Sequence, residues 1–330
     1  MTDKRWTAVL LFAAAWMLIA GLSENVFAAE RQKPIPVRIG TVSRSILDMP
    51  FFVAKERGLF REEGLEAEII HIKAIQTIQA MLGGSLDFGT ATGTAVSAAV
   101  NGADVRVVLA LTDKPSFDMV AVPTIKSVQQ LRGKKFGISA VGSLTEILAR
   151  QILIANQVPP DQVTFLPLGT SDLTFAALRA GVIDATMVQI PQNFLAQDEG
   201  FRKLASGADV YRAVQGGLAT TKATLSERPE LVTKAIRATL RAVRLIKSDK
   251  KYGLEFIKGP YLDLGKERER IAERVYDAAV QVYLVSGVVD EKLQREMITV
   301  AAQRIKPAQP VTPERVFDFS LAQKLSEAVR

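Results

Sequence analysis

The apolar and polar positions of this chain follow one arrangement that occurs twice. Residues 39–87 contain a short apolar run that stops at a glycine, a polar loop, helical stretches, a glycine turn and an aspartate that opens a new strand. Residues 138–184 repeat this order at nearly the same length. A repeat of a whole strand and helix unit indicates a duplicated architecture. The chain is therefore predicted to fold into two α/β lobes.

The loops that follow the first strand of each repeat are rich in small and polar residues. In open parallel sheets, ligands bind beyond the carboxyl ends of the strands, where helix N-termini favour an anion. Two facing lobes would place such loops on opposite walls of a cleft. The predicted ligand-binding residues are Ser43, Arg44, Ser45, Thr90 and Thr92 on one wall, and Gly142, Ser143, Thr145 and Gln189 on the other.

Several of these side chains also have a simpler structural interpretation. Arg44 can bind a carboxylate or a sulfonate through two hydrogen bonds, or it can lie solvated in its loop. Thr92 or Thr94 can contact the ligand or cap the helix that follows. Ser143 stands three residues before Glu146, which is the spacing of a capping box, so this hydroxyl also has a local alternative.

The chain is predicted to cross between the lobes twice. Residues 35–122 form the first part of lobe 1, residues 123–215 form lobe 2, and residues 216–330 return to lobe 1. Glycines near the second crossing tolerate the backbone changes that a closing hinge needs. From residue 226 onwards the pattern is mainly that of amphipathic helices.

Residues 1–28 have the pattern of a signal peptide rather than of a folded domain. Lys4 and Arg5 precede an uncharged, mostly apolar run, and small residues end the segment where a signal peptidase reads. We expect cleavage near Ala28 and export to the periplasm of a Gram-negative host. The uncharged run of residues 6–23 also reaches the lower length limit of a membrane span, so an uncleaved anchor is the alternative.

Composition excludes several classes of site. The 330 residues include one histidine and no cysteine. The lack of cysteine excludes disulfides, thiol catalysis, thiolate metal sites and a lipoprotein anchor. The net charge is +7, but basic and acidic residues are interspersed, so we expect no nucleic-acid binding. His71 is expected to be an ordinary strand residue. Neither a metal nor a cofactor is predicted.

Two motifs resemble those of a known family. PFFVAKERGLF at residues 50–60 and QAMLGGSLDFG at residues 79–89 closely resemble the substrate-binding proteins of the NMT1/THI5-like and SsuA/TauA-like group, which serve ABC importers. The resemblance implies a type II periplasmic binding protein: two α/β sandwich lobes, a two-strand hinge, and a helical C-terminal part packed on lobe 1. It also implies that Gln189 lines the pocket, and that a membrane permease and an ATPase are partners.

The leading hypothesis is a monomeric periplasmic binding protein that closes over a small organic anion, a sulfonate or a carboxylate, and delivers it to the permease. Nitrate and pyrimidines, which related proteins hold, are the other ligand classes. A sensory ligand-binding subunit of the same fold is the first alternative, and an exported enzyme is the second. The chain lacks recognisable catalytic motifs and the cysteine-rich segment of the related fungal pyrimidine synthases, so we expect no enzyme.

Overall fold

Strands and helices alternate along the first two thirds of the chain, and the described part of the last third is mainly helical. The computed structural model describes residues 33–42, 44–262, 264 and 268–327. The strands are β1 (Ile35–Thr41), β2 (Leu65–His71), β3 (Phe88–Gly89), β4 (Val105–Ala110), β5 (Phe117–Ala121), β6 (Lys135–Ile138), β7 (Thr164–Pro167), β8 (Ala185–Gln189), β9 (Arg202–Ser206) and β10 (Gly217–Thr221). The predicted signal peptide, residues 1–28, lies outside the described residues.

The α-helices fall into three groups along the chain. Between the strands of the first half lie α1 (Met49–Glu56), α2 (Leu59–Glu62), α3 (Ala74–Leu82) and α4 (Thr92–Val100). Then come α5 (Leu144–Ala155), α6 (Ser171–Arg179) and α7 (Gln192–Asp198). After β10 come α8 (Lys222–Glu227), α9 (Pro229–Ser248), α10 (Lys250–Lys258), α11 (Arg268–Val282), α12 (Glu291–Ile305), α13 (Pro313–Val316) and α14 (Ser320–Glu327).

The first sheet has the strand order β2-β1-β3-β10-β4. β1 and β3 are parallel, with Gly40 opposite Gly89. The chain between them contains the helices that a crossover between parallel strands requires. β10 returns from the second crossing and runs antiparallel to β3 and β4. The loops after β1 and β3 therefore leave the sheet side by side at one edge.

The second sheet has the strand order β7-β6-β8-β5-β9. The predicted start of lobe 2 at residue 123 was wrong for β5, which pairs along its whole length with β8 and also with β9. The proline and threonine at 123 and 124 only follow the end of this strand. The second sheet therefore begins at Phe117.

The C-terminal helices pack on the first sheet. The apolar positions of α9 recur every three or four residues, and Val232, Ile236 and Val243 are fully buried in one core with residues of β1 and α1. Leu293 and Met297 of α12 are buried in a second core with residues of α4 and β4. Apart from Ile35, the first residue of β1, both sheets lie within one compact unit, Pro36–Arg330.

Within the described ranges, no helix combines the length and the apolar character that a membrane span requires. His71 is the exposed last residue of β2.

Candidate ligand-binding cleft

The loops after β1 and β3 are held together in lobe 1. The backbone N–H of Thr90 donates to the carbonyl oxygen of Gly40 at 2.9 Å. Helix α4 begins two residues later at Thr92, and its first turn contains no acidic side chain. The N–H groups that a helix start leaves unpaired, together with the positive end of the dipole, attract an anion. The end of β3 therefore favours a negatively charged group.

The hydroxyl of Thr90 is an unsatisfied group at this position. The residue is 3% exposed, and no described residue is a hydrogen-bond partner of Thr90 Oγ1. A buried hydroxyl without a partner is unfavourable, and native structures usually satisfy such groups. Thr90 Oγ1 therefore has the capacity for a further hydrogen bond.

The loop after β1 contains three predicted contacts with different environments. Arg44 is exposed, and its guanidinium has no carboxylate partner in the part of the chain that the structure describes. Ser45 is buried, and its Oγ accepts a hydrogen bond from Leu47 N at 3.3 Å, so this serine shapes the loop. Ser43 lies outside the described residues, and its role stays a prediction.

Thr92 is bonded to the second crossing rather than to its own helix. Its Oγ1 donates to the carbonyl oxygen of Val214 at 3.3 Å, and no side chain caps the start of α4. The structure therefore contains no capping bond from Thr92, and the hydroxyl instead links the helix start to the crossing segment.

The corresponding loop of lobe 2 forms hydrogen bonds within itself. Thr145 Oγ1 accepts a hydrogen bond from Ser139 N at 2.9 Å and lies 2.8 Å from the hydroxyl of Ser143. Ser143 is the N-cap of α5 and accepts from Glu146 N at 3.4 Å. The capping alternative for Ser143 is thus observed, and neither hydroxyl lacks a partner. As ligand contacts, both residues remain predictions.

A carboxylate of the chain itself occupies the start of α5. The backbone N–H of Gly142 donates to Glu146 Oε2, and Arg150 Nε donates to Glu146 Oε1 at 2.8 Å. Glu146 is 8% exposed, so this carboxylate is buried at the helix start. The position that would attract a ligand anion already contains a negative charge.

Gln189 lies where the two lobes meet. It ends β8 opposite Phe117 of β5 and is half-buried. The next residue, Ile190, is 8% exposed and belongs to the core that contains β1 and α9 of lobe 1. The end of β8 is therefore at the junction between the lobes.

The two crossing segments are hydrogen-bonded to each other. Thr112 Oγ1 donates to the carbonyl oxygen of Gln215 at 2.8 Å, and Ser116 N donates to the Gln215 side chain at 2.7 Å. Gly217 follows with φ +136°, and a Cβ there would collide with the carbonyl oxygen of Leu109. Only glycine fits this close approach of β10 to β4, and the hinge at this crossing stays a prediction.

Contacts outside the crossings also join the lobes. The Arg304 guanidinium of α12 lies against Gly142, which has φ +75°, so that a Cβ on Gly142 would clash with it. On α7, Asp198 forms ion pairs with Arg270 at 2.8 Å and Arg274 at 3.0 Å of α11. Two helices of the C-terminal part, α11 and α12, therefore contact lobe 2.

Sequence reasoning missed two residues that hold the loop after β1. The hydroxyls of Tyr261 and Tyr283 donate to the carbonyl oxygens of Ser45 and Ile46, which are 216 and 237 residues away in sequence. Burial, and then the nearby Asp48 carboxylate, raises the pKa of both phenols well above its ordinary value, so both remain protonated donors. No local pattern could have revealed contacts this distant.

A cavity of about 890 Å³ lies between α12, Gln151 of α5 and the second crossing. Arg212 lines it, as does Tyr211, whose pKa burial raises to about 12. Its charged lining has both signs and includes none of the predicted ligand-binding residues. This cavity therefore shows no preference for an anion.

Two sheets, two crossings and a helical part packed on lobe 1 define the two-lobed periplasmic binding protein fold. The alkanesulfonate-binding protein SsuA from Xanthomonas axonopodis pv. citri, bound to MOPS, has a TM-score of 0.68 over 87% of this chain and 99% of its own, at 18% identity. The periplasmic nitrate-binding protein NrtA from Synechocystis PCC 6803 has a TM-score of 0.71 over 89% of each chain, at 12% identity. The predicted fold class is confirmed.

The chain belongs to the NMT1/THI5-like family, whose sequence profile matches residues 48–251. The riboflavin-binding protein RibY of Chloroflexus aurantiacus is 26% identical over 236 residues, which are 68% of this chain and 67% of that protein. The chain therefore matches about two thirds of that relative. These three similar proteins are all named as binding proteins.

Proposed function

We propose that this chain is the periplasmic solute-binding component of an ABC importer. It binds a small organic anion, a sulfonate or a carboxylate, in the cleft between its lobes. Closure over the solute then produces the form that the permease, driven by its ATPase, recognises. The protein is exported after cleavage near Ala28, acts as a monomer and performs no chemistry on its ligand.

One observation carries this proposal: the buried hydroxyl of Thr90, which has no hydrogen-bond partner among the described residues and lies at the acid-free start of α4. A hydroxyl donor, helix N–H groups and the exposed guanidinium of Arg44 in the adjacent loop are all groups that bind an oxyanion. A neutral ligand would leave the arginine and the helix dipole without a complementary charge. The combination therefore favours an anion.

The second lobe supports closure more than recognition of charge. Its loop at residues 139–145 is satisfied internally, and Glu146 already occupies the helix start. The proposed role of Gly142, Ser143, Thr145 and Gln189 is to cover the solute after it has bound to lobe 1. Periplasmic binding proteins commonly close by such hinge motion.

Thermal-shift screening tests the proposal directly. The panel contains short alkanesulfonates, carboxylates and nitrate, with riboflavin and a pyrimidine as ligands of other chemistry, and calorimetry follows each shift. A ligand at about one hundred times its Kd stabilises the fold by about 2.7 kcal/mol, which gives a clear increase in Tm. We expect this increase with a sulfonate or a carboxylate.

Arg44→Gln is the variant that tests charge recognition, and Arg132→Gln is its matched control. Arg132 is an exposed arginine whose guanidinium donates to the Gln157 carbonyl, outside the cleft loops. The first variant loses a charge-assisted hydrogen bond worth about 1.5–3 kcal/mol, so its affinity for the anion should fall at least tenfold. The control should bind the anion with wild-type affinity. Stabilisation by neutral ligands only, or turnover of the bound solute, would contradict the proposal.

A further inference from the structure

Two side chains of the C-terminal half form hydrogen bonds with the loop after β1. Tyr261 Oη donates to the carbonyl oxygen of Ser45 at 2.8 Å, and Tyr283 Oη donates to the carbonyl oxygen of the next residue, Ile46. Two consecutive carbonyls, directly after Arg44, are thus bound by phenols from a distant part of the chain. The hydrogen bonds fix the direction in which the loop leaves the sheet.

Both tyrosines are buried in the core that also contains β1 and α9. Tyr261 is 8% exposed and Tyr283 is 4% exposed. The ring of Tyr261 packs against Phe52 at 4.7 Å and Phe256 at 5.4 Å between ring centroids. A buried phenol held by ring packing has little freedom to release its acceptor.

The same loop is connected to both crossings. Leu284, the neighbour of Tyr283, donates its N–H to the carbonyl oxygen of Leu111 at 2.8 Å, immediately before the first crossing. At the second crossing, Gly216 lies so close to Leu47 that a Cβ would be 3.1 Å from the Cβ of that leucine. The loop therefore contacts the second crossing directly through Leu47, and it is connected to the first crossing through Tyr283 and its neighbour Leu284.

We propose that Tyr261 and Tyr283 are positioning residues that hold the loop of Arg44 in its binding geometry against the crossings. The proposal rests on the function proposed above, because it gives this loop the anion-binding arginine. It adds that the C-terminal helical part sets ligand affinity without touching the ligand. Removing either hydroxyl leaves a carbonyl with one partner fewer and loosens the loop.

Tyr276 provides a matched control for Tyr261→Phe and Tyr283→Phe. It is 4% exposed, and its hydroxyl donates to the carbonyl oxygen of Ile246 at 2.9 Å, away from the loop. Tyr276→Phe therefore removes the same kind of hydrogen bond from the same helical part. All three variants should lose similar thermal stability.

Hydrogen exchange of the full-length, ligand-free protein provides the decisive readout. The amides of Val42, Leu47, Asp48 and Met49 donate hydrogen bonds within the loop and report its order. We expect these amides to exchange about tenfold faster in Tyr261→Phe and Tyr283→Phe and at the wild-type rate in Tyr276→Phe. Unchanged loop exchange in the first two variants, or equal acceleration in all three, overturns the proposal.

A calorimetric titration separates this inference from the proposed function. Each variant is titrated with the alkanesulfonates and carboxylates of the screen, and we expect affinity to fall about tenfold in the two loop variants and not in Tyr276→Phe. If the wild-type protein binds none of these anions, the proposed function fails, while loop exchange still decides whether the tyrosines position the loop. If loop exchange accelerates and affinity stays unchanged, the positioning of Arg44 is rejected.

Discussion

The two lobes begin their cleft helices in different ways. In lobe 1, α3 and α4 lack both an acidic residue in the first turn and a side-chain cap, whereas α1 has the buried Asp48 as its N-cap residue. In lobe 2, α5 and α6 each have both, with Glu146 and Asp172 as the acids, and only the short α7 resembles the helices of lobe 1. The duplicated architecture therefore does not provide two equivalent anion sites.

This difference indicates that lobe 1 binds the charged group and that lobe 2 covers it. A carboxylate at a helix start stabilises the helix and repels a second anion from the same N–H groups. Lobe 2 thus has a well-capped, self-satisfied loop that suits a rigid cover. Lobe 1 leaves the starts of α3 and α4 uncapped and leaves Thr90 Oγ1 without a partner among the described residues, which suits ligand binding.

The largest effect is expected when α4 is given the acid that α5 has. Thr94 is the third residue of α4, as Glu146 is of α5. In Thr94→Glu, a like charge about 5 Å from the anion costs about 3 kcal/mol at an effective dielectric constant of about 20, so calorimetry should find affinity reduced about a hundredfold.

Two controls accompany this variant. The added acid should leave Tm unchanged or slightly increased, because it complements the dipole of α4. Glu146→Gln removes the acid of lobe 2, and anion affinity should change less than about threefold, because no ligand charge is bound at that helix start. A large gain of affinity in Glu146→Gln would mean that the anion also lies at the start of α5, because a repelling charge has then been removed.

The next effect concerns the unpartnered hydroxyl. Thr90→Val keeps the shape of the side chain and removes Oγ1, so anion affinity should fall about tenfold with the loss of one hydrogen bond to a charged group. The free energy of unfolding of the ligand-free protein should not decrease, since no hydrogen bond within the described structure is lost. Decreased stability with normal affinity would assign Thr90 a structural role instead.

The opposite result is expected in lobe 2. Ser143→Ala removes the N-cap of α5 and should lower the free energy of unfolding by about 1 kcal/mol, measured by urea denaturation. Affinity for the anion should change less than about threefold, because this hydroxyl is already bonded to Thr145 and Glu146. A large loss of affinity with normal stability would place the ligand on this loop.

The smallest effect is a dependence on alkaline pH that is confined to one lobe. Burial raises the pKa of Tyr261 and Tyr283, so above about pH 10 the unfolded chain releases protons that the native protein keeps. Stability is therefore fully present below about pH 10 and falls as the pH increases further. Hydrogen exchange should show earlier loss of protection in lobe 1 than at residues 117–206, which contain no tyrosine.

The fold could be predicted well because its signals are local or repeated. Alternating strands and helices, the turn at Gly83 and the amphipathic pattern of α9 each depend on nearby residues. The membership of β5 could not be predicted, because pairing with β8 joins residues far apart in sequence and either sheet would bury the same apolar run. The proline and threonine at 123 and 124 end a strand, but they do not show which sheet this strand joins.

The candidate site could be predicted only in outline. Residue types and strand ends identified the loops, since hydroxyls and glycines before a helix are visible in sequence. The sequence does not show whether a hydroxyl already has a hydrogen-bond partner. Ser143 and Thr90 both follow a strand and precede a helix, yet Ser143 caps its helix and Thr90 has no partner in the described chain. The supporting Tyr261 and Tyr283 depend on long-range packing alone.

A crystal structure with the anion identified in the screen would show which lobe binds the charged group. We expect this group within about 3.2 Å of Thr90 Oγ1 and of the first N–H groups of α4, with Arg44 facing it. An anion bound at the start of α5, or in a position that leaves Thr90 Oγ1 without a partner, would refute anion binding by lobe 1.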